Sequence, residues 1–267
     1  MTVLFLFLTG LISGTFGALL GLGGGAIVIP VLTILFHLPI HTAIGISLVG
    51  VIATSTGAAI VYVREGKANI RLGMTLELGT TVGAVLGAVI AGLISAKVLY
   101  ILFAAMLAYN TYSMYGRNEK AEAEVAAGSQ IFLPGNDNPG IHSYKVKNIP
   151  LGLFFSTLAG IMSGLLGVGG GLIKIPVMYL FMGIPLKVAA ATSNFMIGVT
   201  ATASASIYYL SGKIDVATAV PVALGVFAGA FIGTRMNTRI STRLLKKIFV
   251  LVFAVVAVQM ALKGLGR

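Results

Sequence analysis

The chain has 267 residues, of which 57% are hydrophobic and only 9% are charged, and its formal net charge is +11. About a quarter of the residues of a soluble domain are charged, so this composition excludes an ordinary soluble protein and favours a polytopic α-helical membrane protein. A nucleic-acid partner is not indicated, because Lys and Arg stand in short connections between apolar runs, where they set membrane topology. Without cysteine, disulfides and thiol catalysis are excluded.

The first predicted element is an apolar stretch near residues 2–36 that is broken by glycines at 21 and 23–25. Residues 1–63 contain no Asp, Glu, Lys or Arg, as expected of membrane-embedded sequence. The part between the glycines and His37 is too short to cross a bilayer again. The stretch is therefore either one long kinked helix or a hairpin that returns to the side it entered from.

The rest of the chain divides in the same way. Three further helices are predicted in the first half, near residues 41–63, 73–94 and 98–115. A polar stretch with Pro and Gly, residues 116–147, is predicted to be an exposed linker. The second half begins with another glycine-broken apolar stretch near 150–182, and its predicted helices lie near residues 186–210, 214–234 and 243–263.

The two halves are copies of one unit. "GALLGLGGGAIVIPV" begins at Gly17 and "SGLLGVGGGLIKIPV" begins at Ser163, an offset of 146 residues. The same offset pairs Tyr62 with Tyr208. It also matches two sets of glycines at four-residue spacing, which permit close helix packing in lipid: Gly79, Gly83 and Gly87 with Gly225, Gly229 and Gly233. We therefore predict two membrane repeats, residues 1–115 and 148–267.

The distribution of positive charge favours the hairpin. If each broken stretch crosses the membrane once, the Lys and Arg residues divide ten against seven between the two faces, whereas hairpins give thirteen against four. Each repeat is then a re-entrant hairpin plus three transmembrane helices. Because three is odd, the second repeat enters from the opposite face, which predicts an inverted-topology repeat with both chain ends outside and a cytoplasmic linker at 116–147.

The glycines indicate an anion site. We call residues 21–25 the first glycine turn and residues 167–171 the second. Irregular backbone at membrane depth is tolerated where it is buried in protein or lines a cavity. Two turns that enter from opposite faces would meet near the midplane, and their N–H groups and half-helix N-termini suit a negatively charged ligand. The predicted substrate-binding glycines are Gly23, Gly24, Gly25, Gly169, Gly170 and Gly171.

Lys174 follows the second glycine turn and is a candidate ligand for the anion, because an intramembrane Lys is rare without a function. Its repeat equivalent is Val28, so the fold does not require the charge. The alternative is a side chain that reaches to the membrane interface. Ser193 and Asn194, with Ser47 in the first half, are candidate hydrogen-bond donors, although interhelical bonding is an equal alternative.

Glu77 is the only acidic residue inside an apolar run, and it is a weak candidate for carrying a coupling proton. Its place one turn into its helix favours an interfacial position instead. The threonines at 54, 56, 200 and 202 are interpreted as packing residues.

The sequence shows no catalytic motif. Gly21-x-Gly23-x-x-Ala26 fits a dinucleotide fingerprint formally, but no strand precedes it and no acidic residue follows about 20 residues later. The sequence shows no nucleophile–base pair and no metal-ligand cluster. We therefore predict no enzyme activity, no cofactor and no metal.

The paired "GLLGLGGGAIVIP" and "GLLGVGGGLIKIP" motifs, with the helices around them, resemble the sulfite exporter TauE/SafE family of membrane permeases. The resemblance covers nearly the whole chain outside residues 116–147. It implies transport of sulfur-containing anions such as sulfite or sulfonates, a plasma-membrane location, and coupling to an ion gradient. The family motif falls on Gly21 and residues 23–25 in one half, and on Gly167 and residues 169–171 in the other.

These observations predict a secondary transporter that exports a small sulfur-containing anion by alternating access, with a proton or sodium ion as the coupling partner. Two alternatives remain open from the sequence. One is an anion channel, and the other is a transporter of carboxylate anions that contain no sulfur.

Overall fold

The computed structural model describes residues 2–20, 23–115, 146–236 and 242–266, and within them the chain forms only helices. Each half contributes five helices to the described part of the chain. They are α1 (Thr2–Leu20), α2 (Gly25–Ile34), α3 (Ile40–Arg64), α4 (Ile70–Leu93), α5 (Ala96–Tyr115), α6 (Ile149–Leu166), α7 (Gly171–Leu180), α8 (Leu186–Leu210), α9 (Val216–Met236) and α10 (Thr242–Gly264). The predicted linker falls outside the described residues, except for residues 146 and 147.

Five of these helices, α1, α3, α4, α6 and α9, are long and apolar enough to cross a membrane. By contrast, α2 and α7 have 10 residues each, and a helix of that length rises only about 15 Å. Helices were predicted at all of these places, and the described helices confirm the all-helical class. Apolar side chains such as Leu78 and Leu224 remain exposed on α4 and α9, as expected for surfaces that face lipid rather than water.

The second glycine turn reverses the chain. The N–H of Lys147 donates to the carbonyl of Met182 at 3.2 Å, and the Asn148 side chain donates to the carbonyl of Phe181 at 3.0 Å. These bonds join the residues before α6 to the residues after α7. One continuous helix over residues 149–180 would hold its ends about 48 Å apart. Helices α6 and α7 therefore form a hairpin whose two ends lie side by side.

The first glycine turn also folds back. The hydroxyl of Ser13, inside α1, donates to the carbonyl of Gly24, whereas 11 residues of continuous helix would separate these residues by about 16 Å. Gly23 and Gly24 have φ angles of 76° each, and Gly169 and Gly170 have 79° and 74°. Glycine adopts this left-handed backbone without a steric penalty, so it allows the tight reversal in both halves.

The first helix of each half packs on a helix of the other half. Helix α1 of the first half packs on α9, and its equivalent α6 packs on α4. The matched glycine stripes lie in these two contacts. A Cβ on Gly83 would lie 3.0 Å from the N of Ile161, and one on Gly229 would lie 2.8 Å from the N of Thr15. The helices approach backbone to backbone, which only small residues permit.

The equivalent helices α3 and α8 run antiparallel. The N–H of Asn69, just after α3, donates to the hydroxyl of Thr192 near the start of α8, at 2.9 Å. At the other end, a Cβ on Gly45, near the start of α3, would lie 2.8 Å from the carbonyl oxygen of Lys213, just after α8. The end of each helix therefore lies beside the beginning of the other, and both cross at the centre of the protein.

Candidate functional site

The two glycine turns meet at the centre of the protein. A Cβ on Gly23 would lie 2.9 Å from Cγ1 of Val51, and one on Gly169 would lie 2.6 Å from Cγ2 of Ile197. Val51 and Ile197 are themselves equivalents at the repeat offset, and both are fully buried. A Cβ on Gly23 would also lie 3.2 Å from Cγ2 of Ile197, and one on Gly169 would lie 3.0 Å from Cγ1 of Val51. The structure thus brings the two predicted sets of glycines to one place.

Ser47 connects the two turns directly. Its hydroxyl, on α3 of the first half, donates to the carbonyl of Gly167 in the second glycine turn at 2.8 Å. A Cβ on Gly25 would lie 2.7 Å from the same hydroxyl, so the start of α2 lies against it as well. Thr54, two turns along α3, lies within 3.2 Å of the carbonyl of Gly23. Helix α3 therefore contacts both glycine turns and fixes their relative position.

The C-terminal ends of α1 and α6 are held by equivalent tyrosines. The hydroxyl of Tyr62 donates to the carbonyl of Ala18, and that of Tyr208 donates to the carbonyl of Gly164, at 3.2 Å in both cases. Carbonyls in the last turn of a helix have no partner within it. The tyrosines satisfy one such carbonyl beside each glycine turn, and this part of the site is symmetric.

Lys174 lies against the second glycine turn. Only 1% of the residue is exposed, and a Cβ on Gly170 would lie 3.4 Å from its Cε. Its Nζ donates to Oγ1 of Thr200 at 3.1 Å and to Oε2 of Glu77 at 3.4 Å. The alternative in which Lys174 reaches to the membrane interface is wrong, because the ammonium group lies among α4, α7 and α8.

Glu77 is the partner of this buried charge. The sequence favoured an interfacial position for it, but the structure buries it to 7% exposure inside the protein. Its carboxylate accepts hydrogen bonds from the hydroxyls of Thr80 at 3.1 Å, of Thr81 at 3.2 Å and of Thr200. Its place on a helix agrees with the prediction, whereas its burial among other side chains was not predicted.

Sequence reasoning missed both the pairing and the role of Thr200. Lys174 and Glu77 are 97 residues apart, and Thr200 was interpreted as a packing residue. A signal was present, because a lone Lys and a lone Glu inside apolar runs are expensive to bury unless they pair. Thr200 joins the pair by accepting from Lys174 while donating to Glu77. We call these three side chains the charged cluster.

Ser193 and Asn194 are fully buried near the start of α8. The amide of Asn194 donates toward the carbonyls of Ala190 at 3.2 Å and Ala18 at 3.4 Å. Its Oδ1 has no hydrogen-bond partner among the described residues. Asn194 therefore directs its amide to its own helix and to the end of α1, on the side of the first glycine turn.

The charged cluster joins Glu77 of the first half to Lys174 and Thr200 of the second, and the equivalent place beside the first glycine turn has no such charges. At the repeat offset, Lys174 corresponds to Val28, Glu77 to Ala223 and Thr200 to Thr54. The glycine turns and tyrosines obey the symmetry, but the charges do not. Within the described residues, no group of three or more His, Cys, Asp or Glu side chains could hold a metal ion. The site therefore offers one ammonium group, one carboxylate, hydroxyls and glycine backbone.

Comparison with known proteins confirms the resemblance inferred from the glycine motifs. A family model described as "Sulfite exporter TauE/SafE" matches residues 6–260. The chain is 28% identical to "Probable membrane transporter protein YunE" of Bacillus subtilis (strain 168), over 84% of this chain and 85% of that protein. It is 30% identical to "Probable membrane transporter protein YdhB" of the same organism, over 84% of each. Over 29% of this chain and 17% of the relative, it is 40% identical to "Sulfite exporter TauE/SafE family protein 6" of Arabidopsis thaliana. No solved structure matches the chain.

Proposed function

The chain belongs to the sulfite exporter TauE/SafE family, and from this premise we propose that it is a secondary transporter that exports small sulfur-containing anions. Sulfite and organosulfonates are the proposed substrates, and the plasma membrane is the proposed location. The family and the five membrane-length helices make it a multi-pass membrane protein of a transporter family. The substrate class, the direction and the mechanism belong to the proposal.

The proposed topology is an inverted repeat. The antiparallel course of α3 and α8 supports it, as do the two reversals at the glycine turns. With both hairpins re-entrant, thirteen Lys and Arg residues lie on the cytoplasmic face and four lie outside, in agreement with the positive-inside rule. The linker at 116–147 is then cytoplasmic and both chain ends are outside.

The observation that carries the proposal is the buried Lys174 beside the second glycine turn, where both turns meet. An anion that enters there finds an ammonium group, the N-terminal turn of α7 with its partial positive charge, and glycine backbone that a ligand can approach closely. Ser47 lies at the junction of the turns. A sulfonate or sulfite oxygen is a good acceptor for such donors, and charge-assisted hydrogen bonds are the strong ones.

The burial of the site favours a carrier over a channel. The side chains of Val51 and Ile197 close the centre between the turns, and Lys174 is 1% exposed. A substrate therefore reaches Lys174 only after the helices move. In transporters built from inverted repeats, one repeat rocks against the other around a central site, and the hairpins α1–α2 and α6–α7 are the proposed moving parts.

Binding is tested by thermal unfolding of the purified protein in detergent. Sulfite, methanesulfonate, sulfoacetate, taurine, sulfate, thiosulfate and simple carboxylates are added separately, because a ligand that binds only the folded state raises the unfolding temperature. Stabilisation by sulfite or a sulfonate is expected. If carboxylates alone stabilise the protein, the proposed substrate class is wrong.

Transport is tested by counterflow in proteoliposomes. Vesicles loaded with unlabelled sulfite or methanesulfonate are diluted into a trace of the same labelled anion. With the membrane potential held at zero by valinomycin and equal potassium on both sides, a carrier accumulates the label transiently, because exchange is faster than net flux, whereas a channel only equilibrates it. Equilibration without an overshoot would establish a channel and refute the carrier.

A further inference from the structure

We infer that the carboxylate of Glu77 occupies the place of the substrate anion on Lys174 in the closed, empty protein, so that uptake of a proton by Glu77 and binding of an anion by Lys174 are linked. This inference rests on the proposed function and deepens it by naming the coupling ion and the residue that carries it. We call the arrangement the carboxylate latch.

The first observation is that the fold does not need these charges. Val28 and Ala223 stand at the equivalent positions beside the first glycine turn, where the hairpin, tyrosine and glycine stripe are otherwise matched. A buried ion pair is often no more stabilising than apolar residues of similar volume. A purely structural role therefore does not explain why the pair occurs beside one glycine turn and not beside the other.

The second observation is the geometry of the pair. The distance from Nζ of Lys174 to Oε2 of Glu77 is 3.4 Å, longer than the 2.7–2.9 Å of a strong charge-assisted hydrogen bond. The ammonium group is also bonded to Thr200 at 3.1 Å. Lys174 can thus exchange the carboxylate for another anion without losing its neutral partner.

The third observation is that Glu77 can be accommodated with or without its proton. Its carboxylate accepts from the hydroxyls of Thr80, Thr81 and Thr200. A threonine hydroxyl is both donor and acceptor and rotates to suit. When Glu77 takes up a proton, its new O–H can donate to one of these oxygens, and the neutral side chain keeps hydrogen-bond partners after Lys174 has turned to the substrate.

Charge balance explains why the two events are linked. In the empty state the ammonium and carboxylate charges cancel. After one proton has entered Glu77 and one monovalent anion has joined Lys174, the buried site is again neutral. Either event alone leaves a net charge in a low-dielectric interior, which is expensive. One proton therefore accompanies each monovalent anion in the same direction, and one pH unit balances about a tenfold anion gradient. Export then proceeds when the outward anion gradient exceeds the inward proton gradient.

Other titratable groups do not offer an equivalent partner. Within the described residues, the hydrogen bonds and ion pair of Glu77 involve only Lys174 and threonines. Helix α6, packed on α4, carries no charged residue. The remaining titratable residues of α4, α7 and α8 are Arg71, Tyr179, Lys187, Tyr208 and Tyr209.

The decisive experiment uses methanesulfonate, a monovalent anion that stays ionised across the pH range used. Proteoliposomes hold equal methanesulfonate inside and outside, and the outside is made one pH unit more acidic. The wild-type protein is expected to accumulate the anion toward about tenfold. Glu77→Gln is expected to show no accumulation, while its counterflow half-saturates at a concentration about tenfold lower, because Lys174 no longer has an internal competitor.

The matched control is Glu65→Gln, which removes an acidic residue from an exposed pair with Lys67 and is expected to accumulate methanesulfonate like the wild type. A second measurement needs no variant. Purified wild-type protein in weakly buffered detergent with a pH indicator should take up about one proton for each methanesulfonate bound. This readout applies even if Glu77→Gln does not fold.

The outcomes separate the two proposals. Accumulation by Glu77→Gln at the wild-type level, or binding without proton uptake by the wild type, overturns the carboxylate latch and leaves the transporter intact. If the wild type shows counterflow of neither sulfite nor methanesulfonate, the proposed function is wrong and the latch falls with it.

Discussion

The two halves of the protein show the same scaffold with different chemistry. Both have a reversed hairpin at a glycine turn, a tyrosine that holds the preceding helix end at 3.2 Å, and a glycine stripe against the hairpin of the other half. Only the second glycine turn has a charged pair beside it, Lys174 with Glu77 from the other half, whereas Val28 and Ala223 stand at the equivalent positions beside the first glycine turn. What the halves share is therefore explained by folding, and what separates them is the better guide to function.

The largest effect is expected from removing one charge of the pair. Lys174→Met should lower the free energy of unfolding by about 4 kcal/mol, because a buried carboxylate loses its counter-ion. Unfolding in detergent measures this change. A loss below about 1 kcal/mol would mean that the pair behaves like an exposed ion pair, against the burial seen for both residues.

Removing both charges makes the site beside the second glycine turn as neutral as its equivalent beside the first. The double variant Lys174→Met with Glu77→Gln should regain stability to within about 1 kcal/mol of the wild type. Binding of methanesulfonate should stay roughly 100-fold weaker, equivalent to about 2.8 kcal/mol. Isothermal titration against the folded double variant measures the affinity, and wild-type affinity would remove Lys174 from the site.

The glycine turns can be compared with a glycine that has the same backbone but free space. Gly169 and Gly212 both have left-handed φ angles, 79° and 66°. A Cβ on Gly169 would meet Ile197 at 2.6 Å, whereas one on Gly212 would meet nothing within 4 Å. Gly169→Ala should cost about 2.5 kcal/mol of stability and Gly212→Ala only about 1 kcal/mol. Equal costs would show that backbone conformation, not the meeting of the turns, makes Gly169 necessary.

The smallest expected effect tests whether the two equivalent tyrosines stabilise their hairpins equally. Tyr62→Phe and Tyr208→Phe each remove one hydroxyl from a helix-end carbonyl and should each lower the free energy of unfolding by about 1 kcal/mol. Denaturation of the two variants side by side tests their equivalence. A difference of more than about 1 kcal/mol would show that the two hairpins are not held alike.

Much of the fold was accessible from the sequence because its signals are local. Apolar runs between charges predicted the helices, the constant offset predicted the duplication, and the glycines predicted the breaks. The division of Lys and Arg favoured hairpins, and the bonds of Lys147 and Asn148 to the residues after α7 agree with that choice. Whether the hairpins enter a bilayer from opposite faces stays a prediction.

The charged cluster was not accessible, for a physical reason. Its members come from α4, α7 and α8, and their meeting depends on how α4 packs beside the α6–α7 hairpin, which no local pattern encodes. Symmetry gave no help either, because Val28 and Ala223 carry no trace of the pairing. For Asn194, helix position alone did not show that its amide bonds to Ala18 on the side of the other turn.

The reciprocal pairing of α1 with α9 and of α4 with α6 has a consequence for biogenesis. Helix α1 is made first, yet its main partner begins at residue 216, which leaves the ribosome about 10 to 40 s later at ordinary translation speed. Until then α1 stays in the bilayer without the helix on which it packs. Cut at the linker and produced as two polypeptides, the fragments should each be degraded alone and survive only when expressed together.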